Sequence, residues 1–140
     1  MNRSIRAIWV GSLIAGLGGC AEPATRRCSE ELGSPMVVFT LYFGKSIPGR
    51  DDLTDHEWQS FLDDTVTANL PNGYTVLDAR GAWLNPKTNR TIAEATKVMV
   101  AALPEVPDSV ASINRVRTEY EKRFHQQRVG MTAGQGCGAF

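Results

Sequence analysis

The chain has no surplus of charge: fifteen Lys and Arg stand against fifteen Asp and Glu in 140 residues. Without a basic excess it lacks the electrostatic means to hold nucleic acid or an anionic lipid surface, so nucleic acid is not expected as a partner. Histidine is scarce. His56 and His125 lie far apart and outside any cluster with ligand spacing, so no metal centre is expected. No Gly-x-Ser-x-Gly elbow, Walker loop or dinucleotide fingerprint is present. Gly44-Lys45-Ser46 has the ending of a phosphate loop but lacks the upstream glycine and the helix that should follow. No cofactor is expected, and no residue is assigned a catalytic role. Ala7 to Leu17 is apolar but broken by Gly11 and Gly16. It falls short of the roughly 20 apolar residues that a spanning helix needs.

What is present begins at the N-terminus. Arg3 and Arg6 precede the apolar run, which reads as a secretory signal peptide over residues 1–19. Its ending, Leu17-Gly18-Gly19-Cys20, resembles the lipobox of bacterial lipoproteins, in which the cysteine thiol is acylated and becomes the new N-terminus. The resemblance implies a protein held to a membrane through lipid at Cys20 (palmitate among the acyl groups) and facing the periplasm. Ala21, rather than Asp, after the cysteine slightly favours the outer membrane. Two or more acyl chains would hold it firmly, where one gives marginal binding.

Losing the leader removes Arg3 and Arg6, leaving a slightly acidic single domain long enough to bury a core. Cys28 and Cys137 are then an even pair in an oxidising compartment. A bridge between them would close a loop spanning most of the mature chain, a stabilisation of about 4–5 kcal/mol on the chain-entropy model. Two unpaired thiols remain the alternative.

Residues 20–35 are polar with two prolines and suit a lipidated tether, leaving 36–140 as the domain. Met36 to Gly44 is β-branched and aromatic and predicts a strand with Val37, Phe39, Leu41 and Phe43 on its core face. Thr54 and Glu57 have the spacing of a capping box. Trp58, Phe61, Leu62, Thr65, Val66 and Leu70 follow at helical spacing, and Pro71-Asn72-Gly73 ends the helix. Tyr74 to Trp83 and Arg90 to Leu103 predict a hairpin around Asn85–Asn89. Asp108 or Ser109 is placed to cap a second helix lined by Val110, Ile113, Val116, Tyr120 and Phe124, with the charge of Arg117 in solvent. A last strand is expected from about Gln127 to Ala133, before a flexible Gly-rich tail. The order β-α-β-β-α-β predicts an α+β, ferredoxin-like fold, an antiparallel sheet with two helices on one face.

Three segments carry a family resemblance: Leu41-Tyr42-Phe43-Gly44, Glu57 to Asp63, and Gly73-Tyr74-Thr75-Val76-Leu77-Asp78-Ala79-Arg80-Gly81-Ala82-Trp83. Together they resemble bacterial lipoproteins grouped as domain of unknown function 3574, over roughly residues 37–137. The resemblance supports a secreted lipoprotein and implies no activity.

With the helices on one face, alternation assigns the other. Taking Leu77, Ala79, Val98 and Val100 as inward leaves Tyr42, Asp78, Arg80 and Lys97 on the open face, a candidate binding surface. The three charges can equally be cross-strand ion pairs worth about 0.2–1 kcal/mol each. Trp83 is either a recognition residue or a cover for the end of the core. The expectation is a lipid-anchored envelope protein, more a binding module than an enzyme, whose partner is another envelope protein or a second copy of itself. The alternative is a small periplasmic enzyme with acid and base on that face.

Overall fold

The structure is a computed structural model that describes residues 28–140. The signal peptide, Cys20 and the first part of the tether lie outside the described residues. Four strands form one antiparallel sheet: β1 (Ser34–Gly44), β2 (Thr75–Asn85), β3 (Arg90–Pro104) and β4 (Gly130–Gly138), in the order β2-β3-β1-β4. Between β1 and β2 runs helix α1 (55–69), which is α-helical over Asp55–Phe61, π-helical over Leu62–Val66 and α-helical again over Thr67–Asn69. Helix α2 (Pro107–Arg123) joins β3 to β4. The fold is the ferredoxin-like α+β arrangement.

Helix α1 begins where the Thr54–Glu57 spacing places it. The Glu57 backbone N–H donates to Thr54 Oγ1 at 3.2 Å, and the Thr54 N–H donates to Glu57 Oε2 at 2.9 Å. That backbone bond, with help from Arg50 and the Thr54 hydroxyl, holds the Glu57 carboxyl down at about 2. Its apolar stripe is buried: Trp58, Phe61, Leu62, Val66 and Leu70 are each less than a tenth exposed. Helix α2 starts differently from expectation. Pro107 opens it, Val106 is its cap residue without a capping side chain, and the Ser109 hydroxyl donates back to the Pro104 carbonyl at 2.7 Å. Ser109 therefore takes the buried place expected of Val110, which stays 46% exposed. Arg117 also departs from expectation: its guanidinium donates to the Val129 carbonyl at 3.0 and 3.2 Å, tying α2 to the start of β4.

The two helices meet β1 through one aromatic cluster. Phe43 lies 4.8 Å from Tyr120 and 5.2 Å from Trp58, ring centre to ring centre, while Phe61 and Phe124 lie 5.2 and 4.9 Å from Tyr120. Most of these contacts are edge-on, the arrangement that adds about 0.5–1.5 kcal/mol per pair beyond area burial. The Tyr120 hydroxyl donates to the Gly44 carbonyl at 2.8 Å. Burial raises the Tyr120 pKa, so it stays a neutral donor.

The Gly-rich tail is not free. Gly134 to Gly138 continue β4 and pair with Val38 to Ser34, because β1 starts at Ser34 and offers its whole edge. Pairing along a complete neighbouring strand outweighs the poor strand propensity of glycine. Cys28 and Cys137 are joined, with Cα atoms 5.8 Å apart and a sequence separation of 109. Gly33 completes this junction: its φ is +84°, and a Cβ there would collide with the Gly138 carbonyl oxygen. Replacing both Cys28 and Cys137 by Ser is expected to lower unfolding stability by about 2–5 kcal/mol, the usual loss for a long disulfide loop. Denaturant unfolding of the oxidised protein against the double variant measures it, and equal midpoints would contradict it.

Candidate binding cleft

Strand register decides which residues share a face. Phe39 pairs with Ala101, Leu41 with Met99 and Phe43 with Lys97 in β3, and Val76 pairs with Met99 across β2. Phe39, Leu41, Met99 and Ala101 are at most 2% exposed beneath the helices, so this set faces the core. The other parity is the open face. It carries Val38, Thr40 and Tyr42 from β1, Val98, Val100 and Ala102 from β3, Leu77 and Ala79 from β2, and Thr132 from β4.

This corrects the expected face. Val98, Val100 and Leu77 look outward, whereas Asp78, Arg80 and Lys97 belong to the helix-side parity. Of the four expected face residues only Tyr42 is on the open side. The misassignment has a physical origin: from Val98 to Leu103 every residue is apolar, so alternation alone carries no information about sides. Asp78, Lys97 and Asp55 do come together. Lys97 Nζ lies 2.6 Å from Asp78 and 3.3 Å from Asp55, and Lys45 is 3.3 Å from Asp55. The Lys97 ammonium is buried, and its bond to Asp78 raises its pKa against the opposing effect of burial. These charges clamp the first turn of α1 to β2 and β3. Arg80 lies on the same side, exposed, with no ion pair among the described residues.

The open face ends in a cleft of about 720 Å³ beside the β2–β3 hairpin. The loop after β1 (Ser46–Pro48) and the loop before β4 (His125–Arg128) form its rims, and Tyr42, Trp83, Ile92, Glu94 and Thr96 line it. Three glycines in its lining let neighbouring side chains lie against the backbone. A Cβ on Gly44 would sit 2.9 Å from both Glu94 carboxylate oxygens, one on Gly81 would sit 3.0 Å from Thr96 Oγ1, and one on Gly130 would sit 3.3 Å from the Tyr42 Cβ. Glu94 is half-buried and makes no ion pair among the described residues. Desolvation, helped by the negative charge of Asp52, raises its pKa. Trp83 is 42% exposed, so it borders the cleft rather than covering the core. A second hollow, of about 680 Å³, lies between the helices, and polar side chains in its lining bond one another, as where Arg115 Nε donates to Asn69 Oδ1 at 2.7 Å.

The family model "Protein of unknown function (DUF3574)" matches residues 39–140. The chain belongs to that family. Two solved phage structures share the fold with this family member. The chain of a phage SAM lyase in complex with S-methyl-5′-thioadenosine is 14% identical, with a TM-score of 0.58 over 81% of this chain and 87% of that one. That of a phage SAM lyase in the apo state is also 14% identical, with a TM-score of 0.55 over 78% and 87%. The B. subtilis GlnK–ATP complex is 11% identical, with a TM-score of 0.44 over 74% and 84%. No curated protein matches the chain. At these identities the likeness shows the fold alone.

Among the described residues, no group of three or more His, Cys, Asp or Glu could hold a metal ion. No helix among them is long and apolar enough to cross a membrane. Glu94, Thr96 and Arg128 were not marked by any motif in the sequence. The signal that points to the cleft is glycine at strand positions 44, 81 and 130, where an absent side chain lets another group approach.

Lys97 links β3 to Asp78 on β2 and to Asp55 at the start of α1. Asp78 and Asp55 are more than four-fifths exposed and stay hydrated without it. Lys97→Met is therefore expected to change unfolding stability by about 1 kcal/mol or less, because the carboxylates it leaves stay in water and the replacement is apolar at a buried position. Thermal unfolding checks this, and a loss of several kcal/mol would show a far more tightly coupled network.

Proposed function

We propose that this chain is a lipid-anchored cell-envelope protein whose domain works by binding, through its open sheet face, rather than by catalysis. The observation that carries the reading is the make-up of that face. From Val38 to Tyr42, Leu77 to Ala79, Val98 to Ala102 and Thr132 to Gly136, the outward positions hold no charged side chain. Val38, Tyr42 and Leu77 are 39%, 42% and 52% exposed on it. Contiguous apolar surface of this kind marks association sites on soluble domains. A neutral face also presents nothing that repels its own copy, so a second molecule of this chain is the occupant we favour. The anchor rests on the lipobox-like Leu17-Gly18-Gly19-Cys20 and on the periplasmic chemistry implied by the cysteine pair.

One observation favours a second reading, a small periplasmic enzyme. Glu94 is a carboxyl with a raised pKa in a cleft, the setting in which general acids and bases are found. That reading requires Glu94→Gln to abolish turnover of a compound it still binds.

The test is to purify wild type and Val100→Arg from the host membrane and to measure intact mass and assembly mass. Both proteins are expected to begin at Cys20 with added acyl mass. Wild type is expected as an oligomer, and Val100→Arg as a monomer, since each buried unpaired guanidinium is strongly unfavourable. An unacylated N-terminus would overturn the anchor. A monomeric wild type would overturn self-association, and a co-purifying envelope protein lost in the variant would take the place of the second copy.

A further inference from the structure

We infer that the cleft at the hairpin end of the sheet binds a small organic cation, a quaternary ammonium or a protonated amine, held by the Glu94 carboxylate between Tyr42 and Trp83. This goes beyond association through the open face and does not depend on it.

Four carboxylates of the chain have a cation: Asp55 has Lys45 and Lys97, Glu57 has Arg50, Asp64 has Arg123 and Asp78 has Lys97. Glu94 has none among the described residues, although it is more sheltered from water than Asp55, Asp64 or Asp78. The charge that acts on it is Asp52, of the same sign. Glu94 therefore places in the cleft a carboxylate with no ion-pair partner among the described residues, which favours a cation entering from outside.

The carboxylate has a defined position. It is folded back over Gly44, whose missing side chain makes the room. Tyr42 stands two residues along β1 from Gly44 on the same face, about 7 Å at the rise of a strand. Trp83 stands two residues along β2 from Gly81, the cross-strand partner of Glu94. Both rings are 42% exposed and border the same cleft. Two exposed aromatic rings flanking a carboxylate supply the two attractions an organic cation uses, the ring quadrupole and the opposite charge. Ile47 and Ile92 add apolar wall for the carbon substituents of such a ligand. Arg128 is the competing charge. It lies on the rim loop, and it is not among the groups that shift Glu94.

The test uses the full mature protein in a non-ionic detergent with its disulfide intact, and benzyltrimethylammonium as the probe. Its negatively charged counterpart, benzenesulfonate, is the control. The backbone amide resonances of Gly44 and Gly81 report occupancy, and those of Phe61 and Tyr120 report that the core is unchanged. Benzyltrimethylammonium is expected to give a saturable shift at the two glycines, at least tenfold weaker in Glu94→Gln and in Trp83→Ala, with little response to benzenesulfonate. Undiminished binding to Glu94→Gln, or no saturable shift in wild type, would overturn the proposal. Preference for benzenesulfonate would also overturn it and assign the cleft to Arg128 and an anion.

Discussion

The hydrogen bond from Tyr120 to the Gly44 carbonyl, and the aromatic cluster around it, is the constraint on which the rest of the structure depends. Tyr120 belongs to α2, Trp58 and Phe61 to α1, and Phe43 to β1, so a single group of rings fixes both helices to the same end of the central strand. The bond ends on Gly44. On the opposite side of the sheet, Gly44 is the cleft floor on which Glu94 rests. One residue thus has the helix layer beneath it and the candidate site above it, and the floor is as rigid as the core that holds it.

The two sides of the sheet divide the polar work. On the helix side, Lys97 is paired with Asp78 and Asp55, Arg123 with Asp64, and Arg50 with Glu57, while Arg80 makes no ion pair among the described residues. These pairs position α1. On the open side, the central positions carry no charge, and the cleft beside the hairpin holds the Glu94 carboxylate with Arg128 on its rim. A surface of that kind has an apolar part suited to association and a polar end suited to selecting what enters. The disulfide and the β1–β4 pairing close the remaining edge region near the point where the lipid tether would join.

Much of the fold is legible in the residues themselves. The capping box at Thr54, the stripe from Trp58 to Leu70 and the alternation from Val37 to Phe43 are local patterns, each created by one element packing on one core. The β-α-β-β-α-β order follows from those elements and from the turn residues Asn85 to Asn89. The side assignment of β2 and β3 is not legible, because β3 is apolar on both faces and its parity is set by pairing with β1, a contact across some sixty positions of sequence. The end of β4 is hidden for a related reason: glycine reads as flexibility until a neighbouring strand supplies its hydrogen bonds. The cleft is the least legible part. Glu94 is an ordinary carboxylate in sequence, and what sets it apart is the absence of side chains at Gly44 and Gly81, which lets it lie half-buried in the cleft.

The measurement that tests this division of labour most directly is photo-crosslinking in the host cell. A benzophenone side chain would be placed at Val100 on the open face, and in a second protein at Arg115 on the exposed side of α2. Crosslinked species are expected from position 100 and not from position 115, since the proposed function makes the open face the working surface and the helix layer its support. Crosslinking from position 115 alone would contradict the account and move the working surface to the helices.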